Sequence, residues 1–154
     1  MKTSFVAAFL ACAVLSLARS ASAANPSLTA APPTDVILFP HGQVDHVFTT
    51  GGALQINKSY KVQAGRRVAP GLVEVHTFDT DVFYIVDGTA TFVTGGTAVN
   101  PRETGPGEIK ADSITGGTER TLSKGDVIII PKGTPHQFTA VPGPFLYFVV
   151  KVTE

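Results

Sequence analysis

The sequence is poor in sulfur and in charge. Its 154 residues include one cysteine, one methionine and no tryptophan. A lone cysteine forms no internal disulfide, so the fold rests on its apolar core. Only 16% of residues are charged, and 12 basic residues balance 12 acidic ones. No basic stretch is present that would follow a phosphate backbone, which argues against nucleic acid as a partner. No Gly-x-Ser-x-Gly, phosphate-binding loop or dinucleotide fingerprint occurs. No window longer than about ten residues holds a capped 3.6-residue apolar period, so long helices are not expected.

The longest apolar run lies at the start. Lys2 precedes an apolar stretch from Phe5 to Ala18, followed by Ala21-Ser22-Ala23. That run is short for a bilayer span, and the pattern fits a secretory signal over residues 1–23. Cleavage after Ala23 would remove Lys2 and Arg19, leaving 10 basic and 12 acidic residues. It would also remove Cys12, the only cysteine. The expectation is a secreted or periplasmic protein with no membrane segment after cleavage. Any metal in it would have to be held by His, Asp or Glu.

What remains is apolar and rich in turns, with 44% hydrophobic residues, 15 glycines and 11 prolines. Residues 24–34, with Asn25-Pro26 and Pro32-Pro33, read as a flexible lead-in. Residues 35–154 read as one all-β domain of short strands. These are Val36–Phe39, Ser59–Gln63, Leu72–His76, Val82–Val86, Thr89–Thr94, Val127–Ile130 and Phe145–Val152. Asp87-Gly88 reads as a hairpin turn. Residues 100–117 read as an elaborated loop at one end of a barrel, with one strand at Ile109–Ile114. Three runs are apolar on both faces: Val82–Val86, Val127–Ile130 and Phe145–Val150. Such strands need cover on both sides, so a homodimer is expected.

Two segments share one logic. The first contains Glu74, His76, Asp81 and Gly88. The second runs Gly125, five residues, Pro131-Lys132-Gly133, two residues, His136. This pairing resembles the cupin superfamily, whose two motifs bring metal ligands into a small jelly-roll β-barrel. The second motif fits at Gly125, Pro131, Gly133 and His136, with Ala140 where Asn is frequent. In the first, His76 matches a ligand His, Glu74 stands in place of the other His, and Asp81 takes the position of Glu. Both replacements keep an oxygen donor. The resemblance implies one divalent metal held by Glu74, His76, Asp81 and His136, with Asp81 as a fourth ligand or a general base. On a strand, Glu74 and His76 share a face whatever the family. Two imidazoles and two carboxylates suit Fe, Mn, Ni or Zn.

Around this set, one of the adjacent pair Arg66 and Arg67 would project inward, with Arg67 assigned to the substrate pocket beside Phe83 and Phe138. Asp79 reads as a solvated turn residue that could replace Asp81. His41, in a loop context, and His46 read as surface residues. Asn57-Lys58-Ser59 is a glycosylation sequon. The resulting expectation is an exported metal-binding protein acting on a small oxygen-rich molecule by oxygenase, isomerase or decarboxylase-type chemistry. The alternative is a module that binds a sugar or organic acid without turnover.

Overall fold

Side chains alternate in and out along each extended run, and this alternation builds the core. The computed structural model describes residues 30–154. The expected signal segment and the first residues of the lead-in lie outside the described residues. The elements are α1 (His41–Phe48), β1 (Gly52–Ile56), β2 (Tyr60–Arg67), β3 (Val73–His76), β4 (Asp79–Asp87), β5 (Thr89–Thr94), β6 (Thr97–Val99), β7 (Arg102–Gly105), β8 (Glu108–Ala111), β9 (Ser113–Thr115), β10 (Thr118–Ser123), β11 (Val127–Ile130), β12 (His136–Ala140) and β13 (Phe145–Thr153). In β4, Asp79, Asp81, Phe83 and Ile85 are the buried positions, one in every two.

A five-stranded sheet, β1-β2-β13-β4-β11, packs on a six-stranded sheet, β10-β5-β12-β3-β8-β7. Neighbouring strands are antiparallel, and the architecture is a two-sheet jelly roll. One cluster spans both sheets. Phe83, Ile85, Phe145, Tyr147 and Val149 meet Phe92, Phe138 and Leu122. Ring centroids lie 4.6 Å apart for Phe92 and Phe138 and 4.9 Å apart for Phe83 and Tyr147. Tilted rings at this spacing add to the burial of large apolar surfaces.

Several sequence expectations need correction. Val36–Phe39 forms no strand; Val36 is 98% exposed, and the segment pairs with no sheet. The first strand is β1, after Gly51. His41 and His46 are exposed as expected, but His41 opens the helix α1 rather than lying in a loop. That helix has eight residues, no side-chain N-cap and one buried residue, Phe48, so it left little periodic signal. Phe48 packs edge-on against Phe148 at 5.0 Å and anchors α1 to the larger strands.

Asp87-Gly88 does not close a hairpin. It carries the chain from β4 in one sheet to β5 in the other. Gly88 has φ 81°, and a Cβ there would lie 2.3 Å from the Pro144 carbonyl oxygen. The crossing therefore requires glycine both for its conformation and for space. Residues 100–117 are not one loop with one strand. They contain β7, β8 and β9, and Ala98 and Ile114 of the β6–β9 ribbon pack on Val73, Val75 and Ala111.

The outer face of β4 and β11 carries Tyr84, Val127 and Ile129 at 49%, 62% and 63% exposure. These strands are thus buried on one face only within the single chain. No helix among the described residues is long and apolar enough to cross a membrane.

Candidate metal centre

Strand register assembles the site. Glu74 of β3 lies opposite His136 of β12, so the two side chains leave the same face of the sheet. His76, two residues along β3, joins them. On the other side of β3, Glu74 lies opposite Lys110 and His76 opposite Glu108, both of β8. From the facing sheet, β4 presents Asp81 opposite Lys151 of β13. The Gly133 N–H donates to the His76 carbonyl at 2.8 Å, which ties the turn before β12 to the end of β3.

Both imidazoles are buried and fixed from behind. His76 Nδ1–H donates to Glu108 Oε2 at 2.7 Å, and His136 Nδ1–H donates to the Thr134 carbonyl at 3.0 Å. An oxygen acceptor at Nδ1 leaves the lone pair of the neutral ring on Nε2. Both Nε2 atoms are buried and without a hydrogen-bond partner. Unpaired buried nitrogens are uncommon in native proteins, and these two face the same point. Glu74 Oε2 lies 3.7 Å from His76 Nε2 and 3.9 Å from His136 Nε2.

Glu74 is held by its other oxygen. Oε1 accepts from Lys110 Nζ at 2.7 Å and from Arg67 Nη2 at 3.2 Å, which aims Oε2 at the imidazoles. Ligand atoms of Glu74, His76 and His136 all fall within 4.8 Å of one another. Ligands about 2.1 Å from an ion stand roughly 3–3.5 Å apart. The gaps here are slightly wider than that and too long for hydrogen bonds. The donor set therefore fits a divalent ion, and two imidazoles with one carboxylate make a triad that leaves coordination positions free.

The electrostatics agree with that fit. Burial works to raise the pKa of Glu74, but the nearby His76 ring, the hydrogen bond from Lys110 and the charges of Lys110 and Arg67 hold it well below the usual carboxylate range. Burial disfavours a charged His76, yet its bond to Glu108 and the nearby Glu74 carboxylate raise its pKa to about 9 without a metal. Burial holds His136 below the ordinary histidine value. A proton on His76 thus occupies the position that a cation would take.

Asp81 reaches the same space, with Oδ2 3.5 Å from His76 Nε2 and 4.0 Å from His136 Nε2. Its oxygens accept from Lys151 Nζ at 2.9 and 2.8 Å. Asp81 is 2% exposed, and a carboxylate buried so deeply needs such a partner.

The model of the Cupin family matches residues 58–154. The chain belongs to the cupin family. No match to a curated protein sequence was found. Among solved structures, this cupin is similar to BH2720 from Bacillus halodurans, at 13% identity and TM-score 0.55, over 82% of this chain and 86% of that one. It is also similar to KdgF from Halomonas sp., at 17% identity and TM-score 0.49, over 68% of this chain and 79% of that one. The DMSP lyase DddQ from Ruegeria pomeroyi DSS-3 aligns at 18% identity and TM-score 0.47, over 68% of this chain. The aligned part spans about half of that lyase, 47% of its length. Likeness at these identities concerns the fold.

Of the residues expected at the cupin site, Glu74, His76, Asp81 and His136 converge. Arg67 turns inward, its guanidinium 4.5 Å above the Phe138 ring, while Arg66 faces outward. Phe138 and Phe83 are packed in the core, and Phe83 is enclosed by Phe92, Phe138 and Tyr147. Asp79 is not a solvated turn residue. It is the first residue of β4, 5% exposed, paired with Lys61 and accepting from the Thr153 hydroxyl at 2.7 Å. The sequon residue Asn57 is buried, and its Oδ1 accepts from the Ser59 and Tyr60 N–H groups. Sequence reasoning passed over Lys61, Glu108, Lys110 and Lys151. A lysine inside the apolar run from Phe145 to Val152 was the one available signal, and it needed the strand's inward phase to be read.

Proposed function

We propose that this cupin is an exported protein that holds one divalent ion on Glu74, His76 and His136 and acts on a small oxygen-rich molecule. Supporting this reading above all are the two buried imidazole Nε2 atoms, unpaired and facing Glu74 Oε2. A divalent ion there supplies Lewis acidity that polarises a carbonyl or stabilises an enolate. Glu108 and the Thr134 carbonyl orient the rings, and Lys110 and Arg67 orient the carboxylate. Asp81, fixed by Lys151 within 4.0 Å of both imidazole Nε2 atoms, would serve as the base that takes a substrate proton on Oδ2. Oxygenase, isomerase and decarboxylase or lyase chemistry all suit such a centre.

Elemental analysis of untagged protein tests the reading. The expected result is close to one equivalent of Fe, Mn, Ni or Zn, lost in His136→Ala. Metal retained at full occupancy in both His76→Ala and His136→Ala would remove this ligand set. Export predicts that protein recovered from outside the cytoplasm begins at Ala24, as read by mass spectrometry. The exposed Tyr84, Val127 and Ile129 support pairing of two copies through this face.

A further inference from the structure

Inside the barrel the carboxylates and the Lys and Arg side chains balance one another. Four cations, Lys61, Arg67, Lys110 and Lys151, are paired with Glu74, Asp79 and Asp81, and a fourth carboxylate, Glu108, is held by His76. With both imidazoles neutral, these eight groups cancel. A divalent ion on Glu74, His76 and His136 would leave two positive charges uncompensated in a largely enclosed space. Unpaired charge is costly there, and a neutral ligand such as a sugar would not relieve it.

A second observation points the same way. Arg67 is engaged at Nη2 by Glu74, but its Nε–H is buried and has no acceptor. The same residue lines a cavity of about 270 Å³ with Gln63, Gly65, Tyr147 and Val149. Gly65 lets the tyrosine ring lie directly on the backbone at the cavity wall, since a Cβ there would lie 2.4 Å from Tyr147 Cζ. Arg67 therefore links this cavity to Glu74, and its guanidinium lacks one partner. A planar fork of N–H donors matches a carboxylate.

We infer that the molecule completing this centre is an anion, a carboxylate with an adjacent oxygen such as a 2-hydroxy acid, and that Arg67 selects it. This rests on the metal reading above. The neighbouring oxygen lets one molecule reach the ion while its carboxylate answers the excess positive charge.

The test uses the full mature chain loaded with Co(II), whose visible absorption reports changes in coordination. The probes are 2-hydroxyisobutyrate and its neutral amide, which share the hydroxyl and differ in charge. The acid should shift the cobalt bands saturably, and the amide should require at least about tenfold more for the same shift. Arg67→Gln should weaken the acid by about tenfold while cobalt remains bound. Equal response to acid and amide would overturn the inference, as would Arg67→Gln binding the acid like the unmodified chain. The acid–amide comparison decides on unmodified protein, even if Arg67→Gln loses its metal. A chain that binds no cobalt removes the metal reading and this inference with it; cobalt bound without preference for the acid removes the inference alone.

Discussion

The two ends of the barrel interior are built by the same strands and carry opposite chemistry. Along β4, Asp79 and Asp81 point into one end and Phe83 and Ile85 into the other. Along β13, Phe145, Tyr147 and Val149 are apolar, and the next inward residue is Lys151. At the apolar end, dense aromatic packing fixes the walls. At the polar end, nearly every charge has a partner in the facing or adjacent strand, while the two imidazole Nε2 atoms and Arg67 Nε have none. The apolar end keeps the strands in place so that the polar end can leave those nitrogens unsatisfied.

That contrast can be broken from either side. The largest effect is expected at the apolar end. Phe145→Ala removes a fully buried ring and should cost about 3–5 kcal/mol in urea unfolding. A loss below about 1 kcal/mol would mean that this end is not close-packed. At the polar end, Lys151→Met leaves Asp81 buried without its cation and should cost about 3 kcal/mol. Replacing both partners, Lys151→Met with Asp81→Leu, should recover most of that loss. If the double variant is no more stable than the single one, the penalty does not come from an uncompensated charge.

Acid sharpens the comparison further. Burial tends to raise the pKa of Asp79, but the hydrogen bonds from Lys61 and Thr153 prevail and lower it from 3.8. A carboxyl depressed in the folded state contributes stability above its unfolded value, and that contribution is lost as pH falls through 3.8 and below. Urea midpoints followed from about pH 6 to about pH 2 should show this acid loss, and Lys61→Met should flatten it. An unchanged profile in that variant would separate Asp79 from Lys61.

The smallest effect on the single chain is expected outside the barrel. Val127→Lys with Ile129→Lys should change unfolding free energy by no more than about 0.5 kcal/mol per site. The same change should convert a dimer to a monomer in sedimentation on dilution. A dimer that survives it does not use this face.

Legibility followed signal strength. The β-branched run Thr89–Thr94 and the apolar run Val127–Ile130 were read with the bounds the strands have. The Gly125-to-His136 motif pointed to His136 through the cupin resemblance, and strand alternation put Glu74 and His76 on one face. Helix α1 was missed because eight residues with a single buried side chain carry almost no period. Asp79 was misplaced because a charge beside a turn looks solvated until its strand is known to begin there. Glu108 and Lys110 were passed over because their value lies across a strand pair, in a register that the linear order does not state.

Residue order by itself determined the all-β character, the cupin motifs and which side chains share a strand face, since each depends on spacing along one segment. Tertiary structure decided the partners. It joined Lys151 to Asp81, Glu108 to His76 and Arg67 to Glu74, and it left two imidazole nitrogens without a hydrogen-bond partner. These contacts depend on register between strands distant in the chain and on the burial that makes an unpaired nitrogen costly, and neither quantity is present in any local stretch of sequence.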